Sequence, residues 1–345
     1  SNLKEAWRWY SNAFGVDVKI FEDDTIAELM LPYTGGEPRR RHAVLTLNIE
    51  GGGGFEIWQY SERTPLPPEN PILLGDLGIN MAKIRCKDAN KAYEHLNRMG
   101  AIMLTDVVAG LTGQQHFYLM DPFNNLFEVI EEKDYWFRKP SKPTGATYGV
   151  TIGSSDISKV LPLFQQLLEF DQILVDETNT FQELSDLPGG GGTFRRVILT
   201  HSQPRKGAFS KLFGNAQIEL IQAMNYYPKK IFENRFWGDL GFIHLCFDIR
   251  GMDTLEQDSN GLGYKFTVNS NQKHNTNGSF DMGEAAGHFT YIEDPDGTLI
   301  ELVETHRVPI LKKLGINLNL NKRSPEKALP NWIVNMLGTK KVKQI

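Results

Sequence analysis

Residues 287–304 read GHFTYIEDPDGTLIELVE, and this stretch decides the fold. A strand-like run ends in an Asp-Pro-Asp-Gly turn, and a second apolar run follows, so the sequence predicts two strands joined by a turn. Residues 116–131, HFYLMDPFNNLFEVIE, repeat this arrangement. In both copies a glutamate stands seven residues after the first aspartate of the turn: Glu301 after Asp294, and Glu128 after Asp121. The equal spacing indicates an internal repeat.

Two further matches extend the repeat to the whole chain. FEIWQ at 55–59 returns as IELIQ at 218–222, and GDLG at 75–78 returns at 238–241, in each case 163 residues later. The two Asp-Pro turns are 173 residues apart, so the last unit carries ten more residues, which we place in the polar segment 269–278. The first half of the chain therefore resembles the second, and each half contains two units.

Each unit shows the order strand, helix and three strands, or βαβββ. Apolar residues at helical spacing open units one and three: Leu3, Ala6, Trp7, Tyr10 and Phe14, then Val160, Leu163, Phe164, Leu167 and Leu168. Aligning these helices places the first strand of unit one upstream of residue 1. Paired prolines mark a boundary within 133–143.

We therefore predict an α+β protein of four tandem βαβββ units, paired into two half-barrel domains. Residues 1–132 would hold units one and two, without the first strand of unit one. A linker would follow at 133–145, units three and four at 146–305, and a basic tail at 306–345. The tail has nine Lys or Arg residues from Arg307 onward against one acidic residue, Glu326. Within it, residues 331–337 predict a short helix that packs Trp332 and Leu337 on the body.

These motifs resemble the vicinal oxygen chelate superfamily, which includes glyoxalase I, extradiol dioxygenases, fosfomycin and bleomycin resistance proteins, and methylmalonyl-CoA epimerase. The resemblance rests on residues 287–304, on 116–131, and on WRWYSNAFG at 7–15, which is typical of the start of a unit. It covers most of residues 1–305. The resemblance predicts the fold rather than the reaction, because this scaffold hosts isomerases, lyases, dioxygenases, transferases and simple binding proteins.

The resemblance also implies metal ligands on the first and last strands of paired units, pointing into each half-barrel. The last-strand positions are Glu56, Glu128, Glu219 and Glu301, and the first-strand positions are Met81, Gly149 and His244. His244 is the one first-strand residue present that could bind a metal. Glu301 has independent support: it lies in a run that is apolar on both faces, where an uncompensated carboxylate costs several kcal/mol. We expect His244 and Glu301 to bind a divalent ion of Zn, Fe, Mn or Ni. In the competing interpretation, Glu301 is present only because the unit was duplicated, and His244 is a hydrogen-bonded residue of the core.

The third ligand depends on which units pair. Pairing of neighbours, as in ring-cleaving dioxygenases, gives Glu219, whereas pairing of unit one with unit four, as in single-chain four-unit glyoxalases, gives Glu56 and a further ligand from the upstream strand. Because the whole two-unit segment is duplicated, we expect neighbour pairing and therefore Glu219, as both metal ligand and catalytic residue.

Two other side chains are candidates. Tyr291 lies ten residues before Glu301, as Tyr118 lies ten before Glu128. The resemblance implies a catalytic tyrosine beside the metal, and the alternative is an aromatic filling a strand face. We expect His288 at the solvent rim, with a general acid or base role as the alternative.

The composition and net charge limit the kinds of partner that the chain is expected to bind. A 345-residue chain with a formal charge of −5 and a pI near 5.9 offers no general cationic surface for nucleic acid or anionic membrane, so a small-molecule substrate is expected. Two cysteines, Cys86 and Cys246, lie in apolar runs and predict buried reduced thiols and a cytoplasmic location. We expect a monomer or a homodimer.

The leading hypothesis is a metal-dependent lyase, isomerase or dioxygenase that polarises a carbonyl or enediolate of a small oxygenated substrate. Gly149 stands where dioxygenases have a histidine, which disfavours iron-dependent oxygen activation. The alternative is a metal-free sequestration protein of the bleomycin-resistance type, for which Met81 and Gly149 are the indications.

Overall fold

The computed structural model describes residues 2–272, 280–282, 285–311, 316–342 and 345. The first half contains α1 (Leu3–Phe14), β1 (Val18–Ala27), β2 (Arg39–Leu47), β3 (Gly54–Tyr60), β4 (Gly78–Cys86), α2 (Ala89–Arg98), β5 (Ile102–Met103), β6 (Val108–Ala109), β7 (Gln115–Met120) and β8 (Leu126–Glu131). The second half begins with β9 (Thr144–Gly153), α3 (Ile157–Pro162), β10 (Gln172–Asn179), β11 (Phe194–Thr200), α4 (Ser210–Phe213) and β12 (Gln217–Ala223). It ends with β13 (His244–Asp248), α5 (Met252–Gly261), β14 (Val268–Asn269), β15 (Phe280–Met282), β16 (Ala285–Glu293), β17 (Leu299–Leu311), β18 (Ile316–Asn319) and α6 (Asn331–Leu337).

The described strands form three sheets. An N-terminal sheet has the order β1-β2-β3, and a nine-stranded central sheet has the order β10-β11-β12-β9-β4-β8-β7-β5, with β6 beside β7. The C-terminal sheet has the order β13-β17-β16-β14, with β15 beside β16 and β18 beside β17. The α+β class and the repeated units predicted from the sequence are confirmed.

Units two and three, rather than the two units of each half, share the central sheet. Their first strands β4 and β9 pair antiparallel, and each pairs parallel with the last strand of its own unit, β8 or β12. The expected pairing of one with two and of three with four is therefore wrong. The physical reason is that β4 is buried along nearly its whole length, so its backbone groups need a strand partner on both edges. Duplication of a two-unit segment places units two and three next to each other as well, so the repeat does not distinguish the two pairings.

Units one and four meet through side chains on and beside the N-terminal and C-terminal sheets. The rings of Trp58 on β3 and Trp237 are 4.0 Å apart between centroids, and the Tyr60 hydroxyl donates to the Trp237 carbonyl oxygen. The Tyr33 hydroxyl donates to Glu293 Oε1 on β16 at 2.6 Å. The last strands of these two units, β3 and β17, therefore belong to sheets that pack against each other.

The predicted helices form where their apolar residues are buried. Asn2 caps α1 by accepting a hydrogen bond from the Lys4 amide, and Gly15, with φ of 68°, ends it in the left-handed conformation that glycine adopts without strain. The five apolar positions predicted in each of the two opening helices are all buried. In unit three Pro162 removes one backbone donor, and the helix continues as a π-type turn over Leu163–Leu167.

The C-terminal segment packs on the body. The helix α6 forms over the predicted residues, but Ile333 and Val334 are its buried side chains, whereas Trp332 is 59% exposed. These two pack with Val18, Ile49 and Leu212, so the prediction for Trp332 is wrong. Within the part of the chain that the structure describes, no helix has both the length and the apolar character needed to cross a bilayer.

Candidate metal centre

His244 and Glu301 come together on one face of the C-terminal sheet. The strand β13 runs parallel to β17 with His244 opposite Leu299 and Cys246 opposite Glu301, while Tyr291 on β16 lies opposite Glu301 from the other side. Side chains directly across a ladder point to the same face of a sheet. As a result, His244 Nε2 lies 3.3 Å from Glu301 Oε2.

Glu56 of the N-terminal sheet completes the group. Its Oε2 lies 3.6 Å from His244 Nε2, and one ligand atom from each of the three residues lies within 4.8 Å of the others. The side chains of His244, Glu301 and Glu56 are 7%, 13% and 21% exposed, so the group is recessed and still touches solvent. This is the ligand set expected from pairing unit one with unit four.

Aromatic rings hold the His244 imidazole. Trp237 stacks on it with centroids 6.3 Å apart and an interplanar angle of 16°, and Tyr291 meets it edge-on at 5.4 Å. The Tyr291 side chain also hydrogen-bonds Glu301. Among the described residues, His244 Nδ1 has no hydrogen-bond partner, so the ring orientation comes from stacking rather than from a carboxylate or carbonyl behind it.

The three groups perturb one another's pKa values. Burial and the Glu301 carboxylate raise the pKa of Glu56 to about 7, against the opposing effect of His244. Burial alone would raise the pKa of Glu301 too, but hydrogen bonds with His244, Cys246 and Tyr291 hold it below its ordinary value. Burial disfavours the His244 cation, yet the pKa of His244 is raised because Glu301 and Glu56 outweigh that effect. Two carboxylates thus face a single imidazole, and the group is short of positive charge.

The spacing of the ligand atoms suits a small cation. Zinc–ligand bonds of about 2.0–2.2 Å in tetrahedral geometry place ligand atoms roughly 3.3–3.6 Å apart. The two nitrogen–oxygen distances from His244, 3.3 and 3.6 Å, match that separation. An imidazole with two carboxylates is also a donor set that Zn, Fe, Mn and Ni accept.

Glu219 lies elsewhere, in the central sheet. It is 2% exposed on β12, where its Oε2 lies 2.6 Å from Lys83 Nζ and its Oε1 lies 2.6 Å from Arg196 Nε. Glu128 Oε2 lies 2.7 Å from the same ammonium. The predicted role of Glu219 as the partner of His244 is therefore corrected: β12 pairs with β9 of its own unit and contributes to the other half of the structure. Lys83 takes the position of a cation between two last-strand glutamates.

Two more side chains, His116 and Glu183, extend this group into a buried ion cluster of Lys83, Glu128, Glu219, Arg196, His116 and Glu183. His116 Nδ1 lies 2.6 Å from Glu128 Oε1, and Arg196 Nη1 lies 2.5 Å from Glu183 Oε1. With His116 protonated, three cations balance three carboxylates. The cluster was not predicted, although Lys83 stands among the apolar residues of INMAKIRC at 79–86, where a charge has to be compensated if it is buried.

The other predicted positions have structural explanations. Met81 is 1% exposed in an apolar core, and a Cβ on Gly149 would lie 1.7 Å from the Gln217 carbonyl oxygen, so neither position can supply a ligand. Cys86 is buried as predicted, whereas Cys246 is exposed, so the prediction for Cys246 is wrong. His288 is 7% exposed instead of lying at a solvent rim, and strand alternation places it on the opposite face from Tyr291.

A cavity of about 500 Å³ lies away from His244, lined by residues that include Gln114, Tyr135, Tyr148, Gln172 and His201. None of its lining residues belongs to the His244 group or to the buried ion cluster. Cavity size therefore does not identify the candidate centre; the converging ligands do.

No known family's sequence pattern matches the chain, and no curated protein matches it by sequence. Solved structures match it in shape. Glyoxalase I from Zea mays is 12% identical with a TM-score of 0.50 over 88% of each chain, and a mutant of that enzyme reaches 0.53 over the same shares. A "putative dioxygenase" from Bacillus subtilis is 12% identical with a TM-score of 0.53 over 99% of this chain and 93% of its own. At this identity the likeness shows the fold alone: the chain shares the fold of these solved structures.

Proposed function

We propose that Glu56, His244 and Glu301 bind one divalent metal ion and that the chain is a metal-dependent enzyme acting on a small oxygenated substrate. The observation that carries the proposal is the convergence of three ligand atoms from β3, β13 and β17 within 4.8 Å, on a recessed face that touches solvent. These residues lie far apart in sequence, on two different sheets. Duplication of a unit that carries one glutamate would explain the glutamates. It would not explain why the His244 imidazole lies beside two of them.

Charge supports a cation rather than a simple ion pair. One imidazolium would neutralise one of the two carboxylates, whereas a divalent ion neutralises both and takes a neutral imidazole as its third ligand. The buried ion cluster offers an internal comparison. There Glu128 and Glu219 meet the Lys83 ammonium, while the corresponding pair Glu56 and Glu301 has no Lys or Arg side chain within ion-pair distance among the described residues.

Three protein ligands leave coordination positions open for a substrate. A metal ion held there would act as a Lewis acid on a carbonyl or enediolate oxygen. Glu56 reaches in from a different sheet and fixes the distance between the N-terminal and C-terminal sheets at this point. Trp58 and Trp237 close one side of the site, which restricts water near the reacting oxygen.

Tyr291 fits a positioning role in this proposal. Its hydroxyl bonds Glu301, and its ring packs against His244, so it would hold two of the three ligands at once. A lyase, an isomerase and a dioxygenase would all use such a centre. Proton transfer at a carbon beside a polarised carbonyl is the reaction that requires the fewest catalytic groups besides the metal.

Metal content tests the proposal. Elemental analysis of protein prepared without chelator should find metal in the natural chain, and His244→Ala and Glu56→Gln should each contain one ion fewer. Glu219→Gln is the matched control, because it changes the equivalent glutamate of the central sheet and should leave this metal in place. Absence of metal in all four proteins would instead support a metal-free binding protein. Metal lost in Glu219→Gln but retained in Glu56→Gln would contradict the ligand set.

A further inference from the structure

The opposite face of the same two strands carries a second group of ligand-type side chains. His288 on β16 lies directly across from Glu304 on β17, and His306, at a register shift two residues later, brings its ring back to the same carboxylate. One ligand atom from each lies within 4.8 Å of the others. His288, Glu304 and His306 are 7%, 8% and 7% exposed, so this group is more deeply buried than the His244 group.

The geometry within this group is close to that of a coordination sphere. His306 Nε2 lies 3.4 Å from Glu304 Oε2, inside the roughly 3.3–3.6 Å expected for two ligands of one tetrahedral zinc ion. The two imidazole rings have centroids 4.7 Å apart with an interplanar angle of 64°. Both rings therefore lie beside the same carboxylate without stacking on each other.

Glu304 is oriented by the residues behind it. The Gly251 amide, immediately before α5, donates to Oε1 at 2.8 Å, and the Arg250 guanidinium lies 3.4 Å from the same oxygen. Oε2 has two longer contacts, each of 3.4 Å, with the Met252 amide and with His306 Nε2. One oxygen of the carboxylate is thus anchored by the backbone and by Arg250, while the other faces His306, and surrounding groups commonly orient a metal ligand in this way.

We propose that His288, Glu304 and His306 form a second site for a divalent transition metal, with zinc the best match to two imidazoles and one carboxylate. The site is separate from the proposed enzymatic centre and does not depend on it. Its deep burial suits a structural ion. It lies at the point where β17 continues toward β18 and the C-terminal helix, and a metal would fasten this continuation to β16 and to the start of α5.

Zinc stoichiometry after reconstitution tests this site independently of the first. We expect about two zinc ions per natural chain, one in His306→Ala, one in His244→Ala, and none in the double variant. His201→Ala is the matched control, because His201 is 8% exposed and its Nδ1 bonds a backbone oxygen of Glu169 rather than a metal-type cluster. It should retain both ions.

Absorption spectroscopy of the cobalt-substituted protein tests the second site without requiring a variant of its ligands to fold. Cobalt substituted into the natural chain should give visible absorption from nitrogen–oxygen coordination, and His244→Ala should keep the part that belongs to the buried site. Retention of two zinc ions in His306→Ala, or a cobalt spectrum lost completely in His244→Ala, would overturn the second site. If His244→Ala keeps the natural zinc content while His306→Ala loses one ion, the proposed enzymatic centre fails and the second site stands.

Discussion

The Lys83 ammonium lies 2.6 Å from Glu219 and, through the same nitrogen, 2.7 Å from Glu128, in a position that corresponds to the gap between Glu56 and Glu301 in the other half of the molecule. Burial opposes the charge on Lys83, but the two carboxylates hold its pKa above the ordinary value. Two buried glutamates are therefore compensated differently in the two halves. In the central sheet the Lys83 side chain supplies the positive charge, and in our proposal a bound metal ion supplies it beside His244.

Lys83→Met should destabilise the chain strongly. The substitution keeps most of the side-chain volume but leaves two buried carboxylates facing each other, and breaking a buried ion pair in this way costs about 3–5 kcal/mol. Urea unfolding measures the loss. Lys91→Met is the control, because the Lys91–Asp88 pair is exposed and its removal should leave the urea midpoint unchanged. Equal midpoints for the two variants would contradict the role of Lys83.

Loss of the His116 proton should make the stability of the fold fall in mildly alkaline solution. Burial acts against the charged form, yet the hydrogen bond to Glu128 and the Glu183 carboxylate 3.5 Å from Nε2 raise the pKa of His116 from 6.5 to about 9. A folded-state pKa above the unfolded value stabilises the fold fully below pH 6.5, and the contribution disappears as the pH rises through 9. The interval corresponds to about 3 kcal/mol. Unfolding experiments from pH 6 to 10 should show this decline, and His116→Gln should flatten it; an unchanged slope in the variant would disprove the assignment.

Tyr291→Phe should weaken metal binding without unfolding the site. The change deletes the hydroxyl that bonds Glu301 and keeps the ring against His244. Loss of such an orienting bond lowers metal affinity by about 10–100-fold. Competition with a coloured chelator measures it. The control is Tyr118→Phe at the equivalent position beside Glu128, which should not change affinity. Equal losses in both variants would indicate a general packing effect.

Gly238→Ala should disturb the candidate centre through Trp58. A Cβ at this position would lie 2.3 Å from the Trp58 ring, two residues from Glu56 on β3. Displacement of that ring moves Glu56 away from His244, and we expect metal affinity to fall on the order of tenfold or more.

Gly241→Ala separates this steric effect from backbone strain. Both glycines have positive φ, 100° and 118°, but no atom lies within 4 Å of a Cβ built on Gly241. The two variants should lose similar stability from strain, while Gly241→Ala keeps its metal. Identical metal affinities would show that the Trp58 ring does not position Glu56.

Part of the site was predictable from residues alone. The alternation and spacing around 287–304 predicted the strands, and the register relative to the repeat predicted His244 and Glu301 on facing positions, which the structure brings to 3.3 Å. The face of His288 could have been predicted as well: it stands three residues before Tyr291, and odd spacings on a strand reverse the face.

The third ligand was not predictable in the same way. Glu56 and Glu219 occupy equivalent positions in a duplicated sequence, and the choice between them depends on which units share a sheet. Local patterns do not encode that choice, since it depends on the pairing of β4 with β9, two strands from different halves of the chain. A charge in an apolar strand was the usable clue: Lys83 compensates Glu219 and removes it from the set of free carboxylates.

The pairing of β4 with β9 also orders the assembly of the molecule during synthesis. All strands of the central sheet come from residues 78–223, an uninterrupted stretch, whereas the Glu56, His244 and Glu301 side chains can meet only after Glu301 has left the ribosome. Contacts between distant segments form late, because closing a long loop costs entropy before any contact repays it. The central sheet can thus form first, and the two ends of the chain can then pack together beside it. The candidate metal centre is therefore among the last parts of the molecule to form.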